Sequence, residues 1–237
     1  MKANVIGIGW VTAADIGRGR RGTRFAMPRG PLPALSRKDL FDDPYPRFGR
    51  LDEFSRLGLA GIALALTDAG LDRWEQKRNI GVFAGTTCGC LGTDLAYFDT
   101  VLSEGGAMAS PNLFAYTLSN TFLGEAAIHF GLTGPNFVAN LRGGRALECL
   151  RLGLESLSWG ECPLVLAGCC DLTSPGIVSL DHLRPGAVFL VLAGEAEEGS
   201  GIYGAISLDS EEALCFDESR ISDWPQLVAA CLGRIRE

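Results

Sequence analysis

The chain has 237 residues, 47% of them hydrophobic and 21% charged, which excludes disordered and collagen-like chains and suffices for one large domain or two small ones. A formal charge of −7 argues against nonspecific nucleic-acid binding, which wants a net basic face. Nothing approaches the ~18 consecutive apolar residues of a membrane span, and the glycine-broken N-terminus with its single Lys2 is unlike a secretory signal; a cytoplasmic location is the expectation. The eight cysteines, including the vicinal pair Cys169-Cys170, sit in apolar patterns and read as buried reduced thiols.

In chain order, residues 5–10 form a short apolar strand. Residues 11–50 hold much of the Pro and Arg with little periodicity and read as a long surface excursion. Its basic run Arg18-Gly19-Arg20-Arg21-Gly22-Thr23-Arg24 suits either a solvated loop or the docking of an acidic carrier protein or a phosphate. Residues 52–69 carry a wide apolar helical face (Phe54, Leu57, Leu59, Ala60, Ile62, Ala63, Leu66) closed by Gly70. Further strands are expected at 79–84, 136–140, 163–167, 187–193 and 202–208, with helices over 144–158 and 224–236. Alternating strands and helices imply a parallel sheet covered on both faces.

Strand 136–140 feeds helix 144–158 through Asn140-Leu141-Arg142-Gly143-Gly144, a turn shaped to hold a nucleophile at a helix N-terminus, yet it contains no Ser, Cys or Thr. Gly7-x-Gly9 lacks the third glycine of a dinucleotide fingerprint. Cys88 and Cys90 with Cys169 and Cys170 fall at strand C-termini, but their spacing matches no standard zinc pattern. Neither a cofactor nor a metal is expected.

The stretches "NVIGIGWVTAADIGRG", "LDEFSRLGLAGIALALTDAGLD", "NIGVFAGTTCGCLGTDLAYFDTVLSEGGAMASPNLFAYTLSNTFLGEAAIHFGLTGPNFVAN" and "SWGECPLVLAGCCD" follow one another as in the β-ketoacyl-acyl-carrier-protein synthases. The resemblance covers residues 4–208, the N-terminal half of a ketosynthase. It implies an α/β, thiolase-like half with a mixed, mostly parallel five-stranded sheet covered by helices, as one domain over 1–208 followed by a helical extension over 209–237. Aligned from Gly134-Pro135, Gly143 occupies the family's nucleophilic cysteine position, so Arg142, Gly143 and Gly144 would form a relic oxyanion turn. The family's two further catalytic residues, His-His or His-Asn, belong to its C-terminal half; His129 and His182 match neither motif.

The resemblance therefore implies a non-catalytic accessory protein, like a chain-length factor, in fatty-acid- or polyketide-type biosynthesis. It would work as a homodimer or as a heterodimer with a complete ketosynthase, with acyl carrier protein as a further partner. Leu118, Asn120, Phe122, Phe137 and Val138 would line the acyl pocket and dimer interface, and strand 136–140 would be a pairing edge. A lone half would also expose the apolar side of helix 144–158 unless something covered it. Two alternatives stay open: a divergent acyltransferase or ketosynthase using Cys88, Cys149 or Cys169, and a module that binds an acyl chain or acyl carrier protein without chemistry.

Overall fold

The computed structural model describes residues 1–20, 24–141, 147–174, 183–194 and 201–233. Its centre is one twisted sheet of β1 (Lys2–Thr12), β2 (Ile16–Arg18), β3 (Ile80–Thr86), β4 (Asn136–Asn140), β5 (Leu164–Asp171), β6 (Gly186–Ala193), β7 (Gly204–Leu208), β8 (Leu214–Phe216) and β9 (Ser219–Arg220). The order is β4-β3-β5-β6-β1-β7-β8-β9, with β2 paired to β1. β3 is parallel to β4 and β5, whereas β6 runs antiparallel to both β5 and β1. Among the five core strands β4, β3, β5, β6 and β1, only β6 is reversed, which makes the core mixed and mostly parallel. The purely parallel sheet read from the alternation is corrected at β6: a run buried on both faces looks the same in either direction.

Helix α2 (Glu53–Asp68) begins where Asp52 accepts the Ser55 N–H at 2.9 Å, satisfying one orphan donor of the first turn. It packs so closely on β1 that a Cβ at Gly9 would lie 2.2 Å from the Ala65 backbone nitrogen. The glycines of β1 thus serve helix–sheet contact. Beside α2 lies α5 (Thr121–Phe130), where Phe122, Phe130 and Leu123 join Phe54, Leu57 and Phe189 in one apolar layer.

The segment between β1 and α2 is more than a surface excursion. After the short helix α1 (Arg37–Leu40), Phe41, Tyr45, Phe48 and Leu51 are all buried in the α2/α5 layer, so the chain forms a strap across it. The basic run is also partly internal. Arg20 donates its backbone N–H to Asp68 Oδ1 at 2.8 Å and a guanidinium N–H to Gly201 O at 2.8 Å, and stacks over Tyr203. Asp68 accepts further bonds from the Ile8 N–H and the Tyr203 hydroxyl, tying the arm to the end of α2.

On the opposite face, α6 (Glu148–Ser158) and α7 (Trp224–Gly233) share the second core. Cys149, Leu150 and Leu154 from the first and Trp224, Leu227, Val228 and Cys231 from the second are buried there. The expectation that α6 would expose an apolar layer is corrected. Its outward side carries Glu148, Arg151 and Glu155, and Arg151 bonds Glu212 at 2.9 Å in the β7–β8 connection. The segment 209–237 contributes β8 and β9 as well as a helix.

Candidate functional site

β3 leads by way of a short loop into α3 (Leu91–Leu102) and then α4 (Pro111–Phe114); the end of β3 with that loop, the turn before α5, and β4 enclose a cleft of about 350 Å³. Its walls include Thr86, Cys88 and Gly89 from β3 and the loop after it, Ser119 and Asn120 before α5, and Asn136, Val138 and Asn140 on β4. Among the described residues the lining is thus hydroxyls, amides and apolar groups around one thiol.

One half-buried carboxylate shapes this loop. Asp171 Oδ1, at the end of β5, accepts the Thr86 hydroxyl at 2.9 Å and the N–H groups of Thr87 and Cys88 at 2.7 and 3.0 Å. Burial holds the Asp171 carboxyl above its ordinary range even though those donors pull it down. Gly89 then turns with φ of +58°, and a Cβ there would sit 2.4 Å from Ser119 Oγ. Only glycine lets the loop close against residues 119–120.

The thiols are placed against reactivity. Cys88 is half-buried, and burial followed by the nearby Asp171 pushes its thiol up. Cys149 is pushed up to about 12 by burial, and burial also leads in raising Cys90, Cys169, Cys170 and Cys231. A high pKa leaves little thiolate, the species that attacks thioesters. His129 lies away from the cleft, edge-on to Phe41 at 4.8 Å and close to Tyr45 at 4.6 Å, with its pKa lowered by burial. Among the described residues no group of three or more His, Cys, Asp or Glu is arranged to hold a metal.

The predicted positions separate. Asn120, Phe137 and Val138 line the cleft, Phe137 packing edge-on to Phe83, while Leu118 projects from the turn before α5 with 64% exposure. Phe122 does not belong with them: it is 0% exposed and packs edge-on to Phe54 at 5.6 Å. The helical phase of α5 turns Phe122, Ala126 and Phe130 inward together. Arg142, Gly143, Gly144 and His182 lie outside the described residues. No local pattern marks Ser119, and the one signal for Asp171 is an acid ending an apolar strand.

A mixed sheet of this order, covered by helices and with a polar cleft beside β3 and β4, is the arrangement of a β-ketoacyl-synthase-like protein. The family profile described as "Beta-ketoacyl synthase, N-terminal domain" matches residues 34–186, and the chain belongs to that family. It is 26% identical over 126 residues to 3-oxoacyl-[acyl-carrier-protein] synthase 2 of Vibrio harveyi, covering 53% of this chain and 30% of that one. It is 30% identical over 159 residues to polyketide synthase ThaG of Burkholderia thailandensis, covering 63% and 3% respectively. The chain therefore spans less than a third of these relatives. Among solved structures, "The ishigamide ketosynthase/chain length factor" superposes with a TM-score of 0.67 at 17% identity, over 86% of this chain and 62% of that one. A chain of "Ketosynthase (ApeO) in Complex with its Chain Length Factor (ApeC) from Xenorhabdus doucetiae" superposes with a TM-score of 0.61 at 16% identity, over 100% of this chain and 92% of that one. These likenesses establish the thiolase-like fold. Among the described residues no helix is long and apolar enough to cross a membrane.

Proposed function

We propose that this protein is a non-catalytic, ketosynthase-like accessory subunit of a fatty-acid- or polyketide-type assembly line, which pairs with itself or with a complete ketosynthase and helps to shape the space an acyl chain occupies. What carries this reading is the turn Asn140-Leu141-Arg142-Gly143-Gly144, which holds no Ser, Cys or Thr and which, aligned from Gly134-Pro135, would put Gly143 where the resemblance places the family's nucleophile. Glycine offers no thiolate to accept an acyl group and no amide to stand in for one. The cleft supports the same reading, because among the described residues its one thiol, Cys88, is disfavoured as thiolate and no histidine lines it as a base. The match to a chain of nearly equal length in the Xenorhabdus doucetiae complex supports a role as one subunit of a pair.

On this reading Asn120 and Val138 contribute to the acyl-facing wall, and Leu118 and Phe137 meet a partner. The protein, purified free of host ketosynthase, is incubated with malonyl-acyl carrier protein and with acyl thioesters, and both carbon dioxide release and intact mass are followed. Neither turnover nor a covalent adduct is expected. Sustained carbon dioxide release, or acylation of a cysteine, would replace this reading with a divergent acyltransferase; thioester binding without either would favour a pure binding module.

A further inference from the structure

A second cavity, of about 640 Å³, lies between the strap and the body, walled by β2, by α1 with the residues just after it, and by the ends of α2 and α5. Its volume is that of a small-molecule site, ~300–1,000 Å³, and it shares no lining residue with the cleft. The buried part of its lining is apolar, because Phe41, Leu64 and Phe130 belong to the α2/α5 core. Beside them the His129 ring is held among Phe41, Tyr45 and Phe130, with centroids 4.8, 4.6 and 4.7 Å away. Burial lowers the His129 pKa, so the ring is neutral and offers a hydrogen bond without a charge.

The charged groups of the lining divide into engaged and free. Asp39 accepts the Ser36 N–H at 3.1 Å, Asp42 pairs with Arg73 at 3.2 Å, Asp72 faces Arg78, and Asp43 faces His129. Arg18, from β2, and Lys38, from α1, line the same cavity and have no hydrogen-bond or ion-pair partner among the described residues. A free guanidinium and a free ammonium from two walls give an anion charge-assisted donors, and the planar fork of arginine matches a carboxylate. The four acids of the rim set a limit on that anion, since every further negative charge on it would meet like charges. An apolar body against the core residues completes the fit.

We infer that this cavity binds a small organic monocarboxylate, with its head between Arg18 and Lys38 and its short apolar body against Phe41, Leu64, Phe130 and the His129 ring. The site is independent of the accessory-subunit reading, which turnover and acylation test. A ligand there touches β2, the strap, α2 and α5 together, so it stabilises the folded chain by mass action.

Calorimetric titrations and thermal melts of the whole chain test it, with phenylacetate, 3-phenylpropionate and hexanoate as probes. Each is set beside its amide, and phenylacetate also beside phenethylamine and phenyl phosphate. At least one carboxylate is expected to bind at one site per chain with a Kd below ~1 mM and to raise the thermal midpoint. Its amide and phenethylamine should bind about tenfold more weakly or worse, and phenyl phosphate no more tightly than phenylacetate. Arg18→Gln with Lys38→Gln removes two side chains that hold nothing else, so the ligand-free midpoint should stay in place while carboxylate affinity falls by about tenfold or more. The inference is overturned if no carboxylate saturates below ~10 mM, if amide, amine or phosphate binds as tightly as or more tightly than the carboxylate, or if the double variant binds it unchanged.

Discussion

The Tyr45 hydroxyl donates a 2.6 Å hydrogen bond to Oε2 of Glu125, whose other oxygen meets Arg47 at 2.6 Å. This joins the strap to α5 across eighty positions of sequence, and the Glu125 side chain is only 8% exposed. A buried carboxyl that loses a donor keeps its desolvation cost without the compensating bond. Tyr45→Phe is therefore expected to lower stability by ~1.5–3 kcal/mol, the range for hydrogen bonds to charged groups, as a shift of the urea midpoint at unchanged slope. Asp42→Ala, which removes an ion pair to Arg73 between two well-exposed side chains, should change stability by less than ~1 kcal/mol.

Thiol chemistry gives a separate test. With Cys149 at about 12 and Cys88 raised by burial and Asp171, the thiolate fraction of these groups is small at neutral pH and grows only as pH rises above the usual thiol range. Wild-type protein should alkylate slowly with iodoacetamide at pH 7 and faster at pH 9.5. Gly143 lies outside the described residues; on the resemblance, the thiol of Gly143→Cys would sit in an oxyanion-type turn whose free N–H groups favour an anion. Its labelling should titrate below the free value of ~8.5 and give one added mass at pH 7. A labelling curve that coincides with the wild-type curve would show that no oxyanion-type turn survives there.

Asp171 makes a prediction with a definite sign in pH. Its carboxyl sits above the ordinary range because burial outweighs three donated hydrogen bonds. Folding therefore favours the protonated form, and the ionised form subtracts stability as pH rises from the ordinary value of 3.8 through the raised one. Asp171→Asn keeps an oxygen for the Thr86, Thr87 and Cys88 donors and removes the charge. Relative to this variant, the wild type should lose ground as pH rises through that window and recover below it. Asp171→Ala strands those donors and should cost ~1–3 kcal/mol at every pH. Parallel denaturant titrations between pH 3 and 8 would read both effects.

Burial periodicity made much of the sheet legible. Strand 136–140 was bounded by its own asparagines, and the runs at 79–84, 163–167 and 187–193 fall within or beside β3, β5 and β6. The strap was not legible, because it inserts Phe41, Tyr45, Phe48 and Leu51 singly, at spacings that match neither helix nor strand. β8 and β9 have three and two residues, and the turn between them places Asp217 and Glu218 at φ of 44° and 69°, conformations common in tight hairpins but without the usual glycine signal. In α6 the polar spacing of Glu148, Arg151 and Glu155 already marked a solvent face, which attention to its leucines passed over. The cleft was half legible: the strand ends predicted Asn120 and Val138, while Ser119 and Asp171 act through loop closure, which no local pattern encodes.

Leu118 and Phe122 stand four residues apart, and the structure assigns them opposite fates. Leu118 is 64% exposed and makes no part of either core, whereas Phe122 is 0% exposed between Phe54 and Phe189. Composition alone groups them; the inward phase of α5 divides them. Leu118→Arg should leave the thermal midpoint nearly unchanged, within the ~0.5 kcal/mol of ordinary surface substitutions, and weaken partner association by placing a cation at the proposed partner contact. Phe122→Ala removes a ring from a close-packed layer and should cost ~3–5 kcal/mol, with loss of partner binding following from lost fold. Thermal melts read beside sedimentation of the partner complex separate the two cases. If Leu118→Arg melted the protein as Phe122→Ala does, the residue would be core and the proposed partner contact would lose it.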